Sequence, residues 1–202
     1  MQSPEGHMER DELAVELFQK CYLTGEYPVR TGGVVTEYFD KYQFESDPTL
    51  LSAVADHLST LLPQQTEVLA AIELGGVPLG IAISAWTSLP LAIIRRKRKH
   101  YGTRRLIEGP SLAGRRVVIV DAIVATGSQT VQCAGLLTRS GASVIGVACV
   151  IDKEAGGPVF LAQHGLPLCS LFTKSHLLLA SFTRKESSPS PGVAVPATSG
   201  HT

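Results

Sequence analysis

Little in the chain ties it to an oxidising compartment, a metal, a nucleic acid or a membrane. Its four cysteines, Cys21, Cys133, Cys149 and Cys169, form no CxxC pair and no short Cys/His cluster. All stand in apolar surroundings, which reads as reduced, buried thiols of a cytoplasmic protein. Net charge is missing too, since 18 Lys+Arg balance 18 Asp+Glu. No protein-wide field exists to draw in nucleic acid or an anionic membrane. The opening MQSPEGHMERDEL is polar and acidic and lacks the apolar centre of a signal peptide. The longest stretch without a charged residue is 74–94, 21 residues that run into RRKRK. Length and basic flank alone would admit a membrane span. Gly75-Gly76, Pro78 and Pro90 break it near both ends, and Ser84, Thr87 and Ser88 add polarity. It reads as strand, turn, helix, turn, strand. No internal repeat is present. Beyond Lys185, Pro and Ser without periodicity predict a disordered tail over 186–202.

What is present suffices for one α/β domain. The chain has 202 residues, of which 44% are hydrophobic, enough to fill a single core. Apolar groups at Ala14, Leu17, Phe18, Cys21 and Tyr22 predict a helix over 11–24 that stops at Gly25. Pro28 and Gly32-Gly33 make 25–42 a hairpin-like hood. Ser46-Asp47-Pro48 starts a helix whose core face holds Leu50, Leu51, Val54, Ala55, Leu58, Leu61 and Leu62. Residues 67–74 read as a buried strand ending in the Gly75-Gly76 turn. Strands are predicted at 91–94, 117–121, 144–151 and 168–172, with helices at 127–140 and 158–165. This alternation predicts a parallel sheet with right-handed crossovers. The domain spans 1–185, with a helix and hood over 10–45 and a core over 46–180.

The stretch that organises the rest is VVIVDAIVATGSQT, residues 117–130. Four apolar β-branched residues run into Asp121. A small-residue segment follows, then Thr126, Gly127 and Ser128, then a helical pattern. Ligands of open α/β sheets collect at the carboxyl ends of such strands. Small residues there let backbone amides close around an anion, and the following helix adds its N-terminal dipole. A lone Asp at a strand end is also common in α/β proteins without any such role. A second signal is the run RRKRKHYGTRR over 95–105, which holds seven of the 18 basic residues. It could be a nucleic-acid or nuclear-localisation patch, a solvated loop, or a mobile cationic loop that closes over a polyphosphate. Its place between two apolar strands favours the third.

These segments resemble the type I phosphoribosyltransferases, and the chain over residues 10–180 is similar to the orotate phosphoribosyltransferases. The resemblance implies a parallel sheet flanked by helices, with a small hood over a base site. It implies transfer of the phosphoribosyl group of phosphoribosyl pyrophosphate (PRPP) to orotate, with Mg²⁺ held mainly through PRPP and no direct protein metal ligand. On the matching positions, Lys99, Arg96 and Asp121 are catalytic. PRPP contacts fall on Arg95, Arg96, Lys99, Tyr101, Gly75, Gly76 and the segment Asp121, Ala122, Ile123, Val124, Ala125, Thr126, Gly127, Ser128 and Gln129. The base falls on Arg30, Tyr38, Phe39, Ala125 and Lys153, although Tyr38 and Phe39 also suit plain hairpin packing. The family's basic loop reaches into a neighbouring subunit, which implies a homodimer completed by residues 95–109. Partners are then PRPP and orotate, with no nucleic acid and no membrane. Three positions depart from the pattern. Ala122 stands where a second acid is usual, Ala125 where Thr or Ser is usual, and Lys153 where Arg is usual. The alternatives are a paralogue acting on another nucleobase and a catalytically weak PRPP-binding regulator.

Overall fold

The computed structural model describes residues 8–29 and 32–187. An N-terminal helix α1 (Arg10–Cys21) leads into a two-stranded antiparallel hairpin, β1 (Tyr22–Pro28) and β2 (Val34–Phe39). A short helix α2 (Tyr42–Glu45) and α3 (Pro48–Ser59) follow. The rest alternates: β3 (Val68–Ile72), α4 (Val77–Thr87), β4 (Leu91–Ile94), β5 (Ile107–Glu108), β6 (Arg116–Val124), α5 (Ser128–Arg139), β7 (Ser143–Asp152), α6 (Gly157–Gln163), β8 (Leu168–Thr173) and α7 (Lys174–Ser187). The main sheet has the order β5-β4-β3-β6-β7-β8. All its pairs are parallel except β4 with β5. The fold is α/β, a central, mostly parallel sheet covered by helices.

The apolar runs explain the sheet. All five residues of β3, VLAAI, are buried, as expected for a parallel strand with both faces covered. One face packs Val118, Val120 and Ala122 with Leu13, Leu17, Leu58, Leu79 and Ile83 of the surrounding helices. The other packs Val117 and Ile119 with Cys133, Leu137 and Leu161. Asp47 caps α3, its Oδ1 accepting the N–H of Thr49 at 2.9 Å and of Leu50 at 3.1 Å.

Several boundaries differ from the sequence-based ones. The first helix ends at Cys21, because Tyr22, Leu23 and Thr24 pair with Phe39, Tyr38 and Glu37 across the hairpin. Gly25 therefore lies inside β1, at the irregularity between Thr24 and Tyr27. The helix α3 stops at Ser59 and leaves Leu61 beyond it, 40% exposed. Cys169 is half-buried on β8, whereas the other three thiols are buried. The helix α7 runs two residues into the predicted tail. Its pattern hides it: Leu177 is buried, but Leu179 and Phe182 face outward, so no clean apolar stripe marks it. The remainder of the predicted tail lies outside the described residues.

Candidate active site

Unequal strand lengths open the site. The strand β3 pairs with β6 only from Val68–Val117 to Ala71–Val120. On the other flank β7 stays paired with β6 as far as Val124–Asp152. The strand thus continues three residues past Asp121 on one side only, beyond the end given to it from sequence. On the β3 side the chain turns away through Glu73, Leu74 and Gly75. A cleft of about 370 Å³ opens there, lined by Lys41, Tyr42, Glu73, Leu74, Gly75, Arg96, Asp121, Ile123 and Gln129. A second, about 340 Å³, is contiguous through Arg96 and Gln129 and adds Arg95, Gln132 and Cys133.

Asp121 is partly buried at the floor of the first cleft. Its Oδ1 accepts the N–H of Ala122 at 2.8 Å. Burial raises its pKa above the ordinary carboxylate value, while Lys41 and the amides of Ala122 and Ile123 act the other way. The side chains of Ala122 and Val124 turn into the core, at 0% and 2% exposure. Only their backbone is available to a ligand. The two glycines of the turn differ in purpose. A Cβ at Gly76 would lie 2.6 Å from the carbonyl oxygen of Val120, so its bareness lets the turn seat against β6. Gly75 instead faces the cleft.

Beyond β6, Ala125, Thr126 and Gly127 form a tight turn into α5. Gly127 has φ of +77° and its missing Cβ would lie 2.8 Å from Leu161 Cγ, so only glycine fits. Thr126 Oγ1 and Ser128 Oγ lie 3.2 Å apart. Two hydroxyls thus stand at the N-terminus of α5, a combination able to receive an anion with the aid of the helix dipole.

The basic run is the extended loop of a β4–β5 hairpin, closed by the Arg95 N–H to Leu106 C=O bond at 2.9 Å. Arg95 and Arg96 reach the clefts. Lys99 and Tyr101 line neither. The Lys99 ammonium sits 2.7 Å from the Glu108 carboxylate, and Tyr101 is 74% exposed.

On the far flank of β6, a shallow pocket joins the hood to the end of β7. Tyr22, Glu37, Tyr38, Phe39, Ile151, Lys153 and Lys174 line it. Tyr38 stacks on Tyr27 with centroids 5.3 Å apart, and Phe39 is mostly core, 7% exposed. Lys153 is fixed by its N–H to the Val124 carbonyl at 2.8 Å. Glu37 pairs with Lys174 and accepts the Tyr22 hydroxyl at 2.7 Å. The Lys174 bond, then the Tyr22 bond, holds the Glu37 carboxyl below its usual range. Arg30, expected here, lies outside the described residues.

Sequence reasoning missed Lys41, Glu73 and Lys174. Lys41 directly follows the aromatic pair and Asp40, which is the signal that was available. Its direction depends on α2, four residues long and too short to show periodicity. Beneath Lys41 sits Glu45, 7% exposed, with neither carboxylate oxygen hydrogen-bonded. Burial pushes its pKa up to about 7; Lys41 opposes this, and Asp121 and Asp40 add to it. A carboxyl with a raised folded-state pKa is least harmful below its unfolded value of 4.5 and loses stability as pH rises through 7. Glu45→Gln is therefore expected to stabilise the protein at pH 8 by about 2 kcal/mol, allowing for screening by the adjacent open cleft, and hardly at all at pH 5. Urea unfolding at both pH values measures it; an equal gain at both would contradict the assignment.

Among the described residues, no group of three or more His, Cys, Asp or Glu is placed to hold a metal ion, and no helix is long and apolar enough to cross a membrane. Residues 43–159 match the phosphoribosyl transferase domain family. Over 165 residues the chain is 42% identical to the orotate phosphoribosyltransferase of a Nocardioides species, covering 82% of this chain and 92% of the relative. The orotate phosphoribosyltransferase of Halobacterium salinarum is 40% identical over 154 residues, covering 76% and 87%. Among solved structures, the UMP synthase of Leishmania donovani is similar, with a TM-score of 0.79 and 25% identity over 89% of this chain and 39% of that one. This chain thus spans well under half of that protein.

Proposed function

The chain belongs to the phosphoribosyltransferase family, and from that premise we propose that it is an orotate phosphoribosyltransferase. It transfers the 5-phosphoribosyl group of PRPP to orotate, giving orotidine 5′-phosphate and pyrophosphate, a step of pyrimidine (UMP) biosynthesis. One observation supports this most: Asp121, the Gly75 turn, Arg96 and Gln129 share a single cleft beside the receptor at the start of α5. A sugar with a phosphate at each end needs that combination.

In this reading the Thr126–Gly127–Ser128 turn and α5 hold the 5′-phosphate. Asp121 accepts hydrogen bonds from a ribose hydroxyl. The Gly75 turn faces the pyrophosphate, with Arg95 and Arg96 beside it. The base lies by Tyr38 and Lys153, across β6. The bond from C1′ to the pyrophosphate oxygen breaks, that oxygen keeps the electron pair, and a ring nitrogen bonds to C1′ while its N–H proton passes to water or to the departing pyrophosphate. Positive charge grows on the ribose and negative charge on the leaving group, so no protein nucleophile is required; positioning and electrostatics carry the rate. Asp121 and Glu73 are the carboxylates that face the cleft. That sparse donor set fits a Mg²⁺ held chiefly by substrate oxygens and water, which when bound would offset pyrophosphate charge.

Lys99 and Tyr101 point away from their own cleft, which supports a homodimer in which residues 95–109 complete the neighbouring site. Residues 1–185 act as one domain, in the cytoplasm. The test is pyrophosphate release from PRPP and Mg²⁺ with orotate, uracil, hypoxanthine or no base. Turnover with orotate is expected. Turnover only with another base would make the protein a paralogue of different specificity. PRPP binding without turnover would make it a regulator.

A further inference from the structure

The cleft holds a cation that the family resemblance did not place. We propose that Lys41 is a pyrophosphate-binding residue, directed onto the Gly75 turn by α2 and admitted there by the missing side chain of Gly75. The proposal rests on the PRPP reading above and deepens it.

Four observations meet at this side chain. A Cβ added at Gly75 would overlap the Lys41 ammonium and its neighbouring carbon. The amine therefore lies over the backbone of the turn, in the space a residue with a side chain would fill. The cleft is open at that point, with Arg96 and Asp121 on its other walls. Among the described residues, Lys41 has no carboxylate within 4 Å, a state it shares with Arg95 and Arg96 on the same clefts, whereas Lys99 of the basic loop is paired with Glu108. Its close company is the ring of Tyr42, with the ammonium 5.7 Å from the centroid, a weak partner for an ammonium in an open site. Finally, its base is rigid. Phe44 is fully buried, and the Glu45 N–H donates to the Lys41 carbonyl at 3.0 Å.

An ammonium on a rigid base, with no carboxylate within 4 Å and lying over a bare backbone turn, is placed to receive an anion. Which anion follows from the sheet. The receptor at Thr126–Ser128 has its own amides at the start of α5, beyond the end of β6, whereas Lys41 lies at the end of β3. On the PRPP reading the first takes the 5′-phosphate, and Lys41 meets the pyrophosphate. Its charge also favours the ionised form of Asp121, which suits an acceptor for a ribose hydroxyl.

The test compares Lys41→Gln, Lys41→Arg and Gly75→Ala with the unaltered protein by calorimetric binding of pyrophosphate with Mg²⁺ and of ribose 5-phosphate, and by the KM for PRPP. Lys41→Gln is expected to weaken pyrophosphate and PRPP roughly ten- to a hundred-fold, the range for one charged hydrogen bond. Ribose 5-phosphate binding stays within about twofold, and Lys41→Arg recovers part of the loss. Gly75→Ala displaces the ammonium while leaving Lys41 in the chain, so it reproduces the Lys41→Gln pattern, and the double variant is no worse than either single one. Should Lys41→Gln fail to fold, Lys41→Met takes its place, since Gly75 itself faces the pyrophosphate and its variant reports on both residues. Undiminished pyrophosphate binding in the variants overturns the proposal. So does an equal loss for ribose 5-phosphate, which would make the effect structural. An unaltered protein that binds neither pyrophosphate nor PRPP removes the phosphoribosyltransferase reading itself.

Discussion

Lys99→Ala is expected to lower orotate-dependent pyrophosphate release by about a hundred- to a thousand-fold, the usual cost of removing one preorganised charge partner of a transition state. Most of the loss falls on kcat, because the leaving group gains further negative charge as the bond breaks. Stability should hardly change. In the resting protein Lys99 pairs with Glu108 near the surface, and ion pairs open to solvent add little. The same variant tests the assembly. Lys99→Ala subunits mixed with Asp121→Asn subunits give dimers in which one site keeps both groups if the loop crosses to its neighbour. Random mixing then restores about a quarter of full activity. If the loop serves its own chain, both sites of every mixed dimer are broken and nothing returns. Steady-state assays before and after subunit exchange distinguish the two.

Asp121→Asn should move activity and stability in opposite directions. It removes the acceptor charge for the ribose, costing roughly ten- to a hundred-fold in kcat/KM. It also removes a carboxylate that burial holds above its ordinary pKa. The sign follows from linkage. A raised folded-state pKa means that the ionised form is the one the fold resists, so the wild type loses stability as pH rises above the unfolded value. The variant's melting temperature should exceed the wild type's at pH 7 and approach it near pH 4. An activity loss accompanied by lower stability at pH 7 would instead mark Asp121 as a structural residue.

Much of this site was legible in the chain because its parts are short and continuous. The run from Val117 to Val120, bounded by Gly and polar residues, suits a buried strand, and the Thr126-Gly127-Ser128 segment suits a turn into a helix, so the strand, the turn and the start of α5 follow from local order. The placement of Arg95 and Arg96 follows from the apolar strands on either side. Lys41 was not legible, because its position depends on a four-residue helix and on the absence of a side chain at Gly75, 34 positions away in sequence. Glu45 and Lys174 escaped for the same reason: each acquires meaning only through a neighbour brought in by tertiary packing. The burial of Ala122 was hidden by a different cause. The strand does not end at Asp121 but goes on beside β7, and a strand that goes on keeps turning alternate residues into the core.

The order β3-β6-β7 has a stereochemical consequence. Asp121 stands on the middle strand. The Gly75 turn and Arg96 belong to the β3–β4 flank, while Tyr38 and Lys153 gather on the β7 flank. A sugar anchored at the centre therefore presents C1′ with its departing oxygen toward one flank and its open face toward the other. On the proposed reading, entering nitrogen and leaving oxygen would then lie on opposite sides of the carbon, and inversion at C1′ is the expected outcome, checked by the anomeric configuration of the product. A product with retained configuration would contradict this placement of base and pyrophosphate on opposite flanks of β6.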